Sequence, residues 1–447
     1  MLKKINYFYL FSVLLILIII VGRVNTCDYL LLITNLFLAL SFFLLVETIN
    51  HKPLGFFTKK NLSFIVFLYS LIGVAVINAV SYYYNDNFFA FSEVDALFYH
   101  REALKLKGFL FFNEGLSSFL KNEILEDFGA VFIVSTIYRI YDSNLLVNLF
   151  FIVLGVFTSI SLFEIGRSFL TKKFAFLASL SFSVSSFTIW FSSSGLKEIV
   201  LIFIVVSIYK YYYRFIEKKR GMDLIWLSLF LISLTFFRPV IIFFCLGSFL
   251  ISVLMSKKIS FSSIIYISVI LLTVFYFSST IWQHANRFLV EGDTDRFLES
   301  KESTNMVKGG VGFTYFVNFV SSLLGPFPSF NPTDKLLLSF YSGGLLYRVL
   351  LSLSFIYGIY IVLKTKMLQA YPILLFVLFE MISLVLILEA LELRKSLLHF
   401  PFIFILSFIM IEKYQLVNGI NSSSRISSYY PKAMFLLLLI VIYWNFR

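Results

Sequence analysis

The chain has 447 residues, of which 59% are hydrophobic and only 14% are charged; phenylalanine alone accounts for 57 positions. A water-soluble protein could not bury so much apolar surface, and about a quarter of its residues would be charged. Because one bilayer-spanning helix uses about 20 residues, the composition predicts an all-α, polytopic integral membrane protein.

Lysine and arginine exceed aspartate and glutamate by 37 to 25, a net charge of +12. No nucleic-acid-binding signature accompanies this excess, so we expect no nucleic-acid partner and interpret the charge as the positive-inside signal of membrane proteins. Cys27 and Cys245 are far apart in sequence, which disfavours a disulfide framework or a cysteine-based metal site. The four histidines lack the spacing of metal ligands and give no case for zinc, so we assign no metal-binding residue and no cofactor from the sequence.

The apolar runs predict about thirteen transmembrane helices in a single membrane domain, residues 1–447. They lie near residues 5–22, 29–46, 62–82, 145–165, 174–191, 199–213, 224–237, 240–255, 261–281, 345–363, 372–388, 397–411 and 433–444. With a cytoplasmic N-terminus, nearly every compact basic cluster between these helices falls on the cytoplasmic side. The exception is the pair Arg394–Lys395.

The apolar run at 128–141 is too short to span a bilayer and would reverse the later helices if it did. We therefore predict a re-entrant or interfacial helix on the outer side. Two large periplasmic loops result, at 83–144 and 282–344. No glycine-rich nucleotide-binding loop is present in the sequence, which disfavours an ATP-driven pump.

A helix beginning near Ser92 is predicted in the first outer loop, with Asp95, Tyr99 and Glu102 on one face. Two interpretations of Asp95 remain open. The motif Ser92-x-x-Asp95 resembles a capping box, so Asp95 could simply cap a surface helix. Alternatively, Asp95 is a general base at the membrane surface.

If this helix is catalytic, Asp95 is the preferred base and Glu93 the less favoured one. His100 and Arg101 follow closely and are predicted to bind substrate. Lys197 and Glu198 lie in a short outer turn, where they form either an ordinary interfacial pair, with the lysine reaching toward water, or part of the site.

Three further cationic positions are predicted on the same outer side. Arg238 lies in a tight turn before Pro239, where a buried charge is costly unless it is paired or functional. Arg394 and Lys395 contradict the positive-inside pattern. Arginine binds phosphate oxygens with two parallel hydrogen bonds and lysine adds a point charge. These residues, helped by Lys197, therefore suit a substrate with a phosphate or pyrophosphate head and a lipid tail.

The segments Asp95-Ala-Leu-Phe-Tyr-His100, Lys197-Glu198, Arg238-Pro239 and Arg394 to Pro401 resemble those of GT-C-type membrane glycosyltransferases that use polyprenyl-phosphate-linked sugars. This resemblance implies a GT-C-like fold, an acidic residue that acts on the acceptor, corresponding to Asp95, and cations that hold the lipid phosphate. The overall profile also resembles bacterial O-antigen and capsule repeat-unit polymerases. Both families work on undecaprenyl-linked sugars.

We therefore expect polymerase-like glycosyl transfer at the periplasmic face of the bacterial inner membrane. The donor would be an undecaprenyl-(pyro)phosphate-linked sugar or oligosaccharide and the acceptor a surface glycan. Other polysaccharide-assembly proteins are possible partners, besides membrane lipid. Transfer of single sugars is an alternative. A lipid-linked-oligosaccharide flippase is another, although charges deep within the predicted spans, which a transporter needs, are few: Glu164, Lys210, Arg348 and Glu380.

Overall fold

The computed structural model describes residues 52–85, 94–109, 112–121, 125–255, 311–325, 336–386 and 393–418, and scattered residues between 432 and 443. Across these residues the chain is helical and contains no β-strand, which confirms the predicted all-α class. The predicted spans 5–22, 29–46 and 261–281 lie outside the described residues, and 433–444 lies only partly within them. Ser92 and Glu93 also lie outside.

The described residues form fifteen α-helices and three short 3-10 helices. The α-helices are α1 (Lys59–Asn85), α2 (Val94–Leu106), α3 (Phe112–Leu120), α4 (Leu125–Tyr138), α5 (Asn144–Gly166), α6 (Lys172–Ser183), α7 (Ser186–Ser193), α8 (Glu198–Lys218), α9 (Gly221–Ser233), α10 (Val240–Met255), α11 (Val311–Leu324), α12 (Leu336–Lys364), α13 (Tyr371–Leu386), α14 (Leu393–Ser396) and α15 (Phe400–Asn418). The 3-10 helices are Leu54–Phe56, Leu234–Phe236 and Leu368–Ala370.

Within the described residues, four helical segments are long and apolar enough to cross a membrane. They are Lys59–Tyr82, Asn144–Gly166, Glu198–Lys218 and Leu368–Leu386. A fifth is obtained if α6 and α7, which meet at 49°, count as one broken span. These segments match five of the predicted spans, and the chain therefore has the apolar helices of a membrane protein. The full number of spans stays a prediction.

The predicted span 174–191 differs from the structure because its helix breaks at Val184 and Ser185. The Ser185 hydroxyl donates to the carbonyl of Phe182 at 2.8 Å and accepts from the backbone N–H of Thr188 at 3.3 Å. The Thr188 hydroxyl also donates to Phe182, at 2.8 Å. The Ser185 and Thr188 hydroxyls thus bond to backbone groups at the break that would otherwise pair with one another in a continuous helix. Helix α7 then begins with Ser185 as its N-cap.

Two other predicted boundaries shift. Helix α12 begins at Leu336, before the predicted start of the span 345–363, so the second outer loop ends earlier than residue 344. That loop also contains helix α11. The short helix predicted at 128–141 is α4, which begins at Leu125 and thereby includes Glu126 and Asp127 in its first turn.

The centre of the packed helices is the broken pair α6 and α7 with the start of α8, since every residue from 175 to 200 is buried. Around it, the ring of Tyr209 contacts Phe249, Phe376 and Phe402 with centroids 4.9–5.3 Å apart, which joins α8, α10, α13 and α15. Helices α12 and α15 cross closely at Gly358, where a Cβ atom would lie 2.2 Å from the carbonyl oxygen of Leu406.

Polar contacts gather several predicted cytoplasmic loops at one end of the bundle. Glu164 near the end of α5 pairs with Lys59 of α1 and, at 2.8 Å, with Arg214 of α8. The backbone N–H of Thr171 donates to Glu412 of α15 at 3.1 Å. The Tyr213 hydroxyl donates to the carbonyl of Gln369, at 2.7 Å. These contacts bring together helix ends of α1, α5, α8 and α15 and the segments before α6 and α13, all of which alternation assigns to one side.

Candidate functional site

The candidate site lies at the opposite end, where α8 begins. Glu198 and Arg214 are separated along α8 by about 24 Å. Here the Lys197 ammonium donates to Oδ1 of Asp127 at 2.6 Å and to the backbone carbonyl of Glu126 at 3.1 Å. The Tyr99 hydroxyl donates to the same Asp127 oxygen at 3.1 Å. Side chains from α2, α4 and the α7–α8 connection thus meet at one carboxylate.

Two more carboxylates act on the same tyrosine. The pKa of Tyr99 is raised far above its ordinary value, first by burial and then by the negative charges of Asp127, Glu198 and Asp95. Tyr99 is 4% exposed and Glu198 only 2%. The phenol therefore stays protonated and acts as a hydrogen-bond donor among three carboxylates. We call Asp95, Tyr99, Asp127, Lys197 and Glu198 the carboxylate cluster.

Local sequence explains how each helix presents its part of the cluster. Helix α2 starts at Val94, and the four-residue spacing places Asp95 and Tyr99 on one face. Helices α4 and α8 both begin with acidic residues, Glu126 and Asp127 in one and Glu198 in the other. The positive end of a helix dipole favours negative charge in the first turn, so these carboxylates stabilise the helices that carry them.

The turn that carries Arg238 packs against α4 two residues after Asp127. A Cβ atom on Gly129 would lie 2.8 Å from the carbonyl oxygen of Phe236 and 2.6 Å from the Phe237 ring, so only glycine permits this approach. Arg238 is half-buried and forms no ion pair with any described residue. The structure thus brings the Arg238 turn against the helix that carries Asp127.

His100 and Arg101 lie away from this contact. His100 Nδ1 is 2.8 Å from the Tyr138 hydroxyl oxygen, and that hydroxyl donates to Asn144 at 2.8 Å. Burial lowers the pKa of His100, and the charge of Asp142 only partly opposes it. Its contact with Tyr138 joins α2 to α4. Arg101 is exposed and has no ion pair within the described part of the chain.

Of the predicted phosphate-binding cations, Lys197 pairs with Asp127 and Lys395 is half-buried at the end of α14. The backbone of Arg394 is helical, and its side chain lies outside the described residues. Sequence reasoning missed Asp127, although Glu126-Asp127 directly precedes the short apolar helix. Two acidic residues at the start of a short apolar helix beside a membrane are unusual, and this pattern could have identified Asp127 as a candidate site residue.

The cluster offers a carboxylate that can accept a proton, Asp95, beside a fixed hydrogen-bond donor, Tyr99. Its second aspartate, Asp127, accepts hydrogen bonds from the Lys197 ammonium and the Tyr99 hydroxyl. Carboxylates held in this way are residue types that can serve in acid–base chemistry. Among the described residues, no three histidine, cysteine, aspartate or glutamate side chains are arranged to hold a metal ion.

No protein-family model matches this sequence, and neither does any curated protein. The likeness to GT-C-type glycosyltransferases and repeat-unit polymerases therefore stays a prediction from the residues quoted above.

Proposed function

We propose that this chain is a membrane glycosyltransferase of the polysaccharide-polymerase type, with a GT-C-like architecture. It would use an undecaprenyl-(pyro)phosphate-linked sugar or oligosaccharide at the periplasmic face of the bacterial inner membrane. The observation that supports this is the carboxylate cluster, in which Tyr99 and Lys197 donate to Asp127 and the charges of Glu198 and Asp95 also act on Tyr99, at one end of a bundle of apolar helices. A lipid-anchored sugar presents its reacting carbon at such a place.

In the proposed reaction, an acceptor hydroxyl attacks the anomeric carbon of the donor sugar and gives its proton to Asp95. The new bond joins the acceptor oxygen to that carbon, and the bond to the phosphate oxygen breaks. The lipid phosphate leaves with the electron pair, stabilised by Arg238 together with Arg394 and Lys395. Asp127, fixed by Lys197 and Tyr99, orients the sugar hydroxyls.

The decisive test compares Asp95→Asn with Asp142→Asn in a strain that lacks the gene. Asp95→Asn removes the base, and we expect surface-glycan elongation to fall by about 10²–10⁴-fold. Asp142→Asn makes the same chemical change at an exposed residue paired with Lys107, and it should elongate glycan normally. Membrane abundance is measured for both variants. Full elongation by Asp95→Asn would refute the role of Asp95 as base.

The second candidate is a flippase for lipid-linked oligosaccharide, and one observation favours it. Arg348 and Glu380 are buried within helices, as charges that line a transport path would be, and His399 is buried in the turn before α15. Lipid analysis of the deletion strain separates these functions. Loss of a flippase traps the complete unit on the inner leaflet, whereas loss of a polymerase leaves single repeat units on the final acceptor. Loss of a single-sugar transferase leaves full-length, under-decorated chains.

A further inference from the structure

Three cations converge on one carboxylate at the end of the bundle opposite the carboxylate cluster. Glu164 of α5 pairs with Lys59 of α1 and, at 2.8 Å, with Arg214 of α8. The Lys210 ammonium lies 3.8 Å from the same carboxylate and donates to the Ser161 hydroxyl at 3.4 Å. One carboxylate carries a single negative charge, so Glu164 alone does not neutralise the three cations.

Two of these cations lie well inside the end of an apolar helix. With a rise of 1.5 Å per residue, Lys210 is about 12 Å and Arg214 about 6 Å from the last residue of α8, Lys218. Their side chains are 17% and 36% exposed, so both have lost much of their hydration. A cation at this depth in a membrane helix is costly unless a counter-charge accompanies it.

A stack of aromatic rings lies directly beside the two cations. The Lys210 ammonium and the Arg214 guanidinium carbon are 5.5 and 5.8 Å from the centroid of the Tyr211 ring. That ring stacks on Trp226 and Phe230 of α9, with centroids 6.1 and 5.8 Å apart. Trp226 is 44% exposed. Tryptophan and tyrosine are enriched where lipid headgroups meet acyl chains, so the stack offers a lipid-facing surface next to the cations.

Positive charge remains after the neighbouring carboxylates are counted. The buried Asp223, near the start of α9, also acts electrostatically on the Tyr211 ring. Of the charged side chains that the structure describes around Glu164 and this ring, three are cations and two are carboxylates. The exposed run from Glu217 to Arg220 adds three cations and one carboxylate, which increases the surplus.

We infer that Lys210, Arg214, Tyr211, Trp226 and Phe230, which we call the cation–aromatic surface, bind an anionic phospholipid of the leaflet at this end. The phosphate oxygens accept from Lys210 and from the N–H groups of Arg214 that Glu164 does not use, while an acyl chain lies along the rings. Basic sites between membrane helices bind anionic headgroups in this way.

A zwitterionic lipid brings its own cation and would leave the surplus charge in place, so the surface favours a lipid with net negative charge. The bound lipid is a bilayer phospholipid at the end opposite Asp95, and it takes no part in the proposed glycosyl transfer. The inference therefore does not depend on the proposed function.

The test uses the purified, delipidated full chain in an uncharged detergent. Dioctanoyl phosphatidylglycerol, dioctanoyl phosphatidylcholine and glycerol phosphate are titrated separately, and the shift in unfolding temperature is followed. We expect phosphatidylglycerol to raise that temperature with saturation. Phosphatidylcholine lacks the net charge and glycerol phosphate lacks the acyl chains, so each should produce little or no shift.

Two variants address the two halves of the surface. Lys210→Met removes a charge and keeps the apolar stem, whereas Trp226→Ala removes an exposed ring and leaves every charge in place. Each should raise the half-maximal phosphatidylglycerol concentration by about tenfold. The matched control is Lys364→Met, which removes an exposed cation 5.3 Å from the Tyr360 ring at the end of α12. It should bind the lipid as wild type does.

The unfolding temperature without lipid shows whether each variant folds, and Arg214→Gln replaces Lys210→Met if the latter does not. Wild-type affinity in either folded variant would overturn the inference. So would an equal shift with phosphatidylcholine or with glycerol phosphate. Equal weakening by Lys364→Met would overturn it too, because binding would then be spread over all cations at this end.

Discussion

At the scale of single residues, the pair of Lys197 and Asp127 governs the carboxylate cluster. The side chain of Lys197 is 10% exposed and that of Asp127 is 29% exposed, so both charges have lost much of their hydration. Their mutual attraction offsets this loss only while both are present, and removal of one leaves the other partly buried without its counter-charge.

We therefore expect Lys197→Met to lower the free energy of unfolding by about 1–3 kcal/mol. The double variant Lys197→Met with Asp127→Leu should recover most of that stability, because neither member of the pair is then left without its counter-charge. It should still fail to elongate glycan if the proposed function holds. Thermal unfolding in detergent micelles measures the stability of each variant.

The matched control is Lys107→Met, which breaks the exposed pair of Lys107 and Asp142 and should cost less than about 1 kcal/mol. Equal losses for Lys197→Met and Lys107→Met would mean that burial adds nothing to the first pair.

The sequence predicted part of this cluster for a physical reason. Asp95 and Tyr99 are four residues apart on one helix, so helical geometry alone places them together. Asp127 and Lys197 are 70 residues apart, and their contact arises from tertiary packing that no local pattern encodes. His100 was grouped with Asp95 by proximity in sequence, yet it faces Tyr138, because adjacent helical residues point in different directions.

At the scale of helices, close crossings depend on small residues more than on apolar character. Apolar side chains gain little by leaving lipid for protein, so packing between membrane helices relies on shape. Gly358 is the point at which α12 meets the backbone of α15. Hydropathy predicted both helices because it detects length and apolar content, and it missed the break at Ser185 because hydroxyl groups are nearly neutral on such scales.

We predict that Gly358→Ala destabilises the protein by about 1–3 kcal/mol, because the new methyl group meets the backbone of Leu406 and the helices must separate. Gly155→Ala on α5 is the control, since a Cβ atom there has no heavy atom within 4 Å. That substitution should be neutral or stabilising by up to about 1 kcal/mol through helix propensity. Thermal unfolding of both variants checks this, and equal behaviour of the two would contradict the close crossing.

At the scale of the whole molecule, the two ends of the bundle differ in chemistry. One end joins Glu164 to Lys59, Lys210 and Arg214, so cations outnumber carboxylates there. The other end holds three carboxylates around Tyr99 and one described lysine among them. The sequence predicted that these residues lie at two different ends, because successive spans must alternate in direction and basic loops stay on the cytoplasmic side. Both constraints act on the whole chain rather than on one segment.

The orientation of these ends is tested by cysteine labelling in a chain whose Cys27 and Cys245 are replaced by alanine. Tyr141→Cys introduces an exposed thiol just before α5, at the end of the bundle that holds the carboxylate cluster. Lys218→Cys introduces an exposed thiol at the last residue of α8, at the opposite end. We expect a membrane-impermeant maleimide to label Tyr141→Cys in intact spheroplasts, and Lys218→Cys only after permeabilisation, because basic loops are retained in the cytoplasm. The reverse pattern would place the carboxylate cluster in the cytoplasm. Lipid-linked donors on the periplasmic leaflet could not then reach the cluster, so this result would refute both the predicted orientation and the proposed transfer reaction.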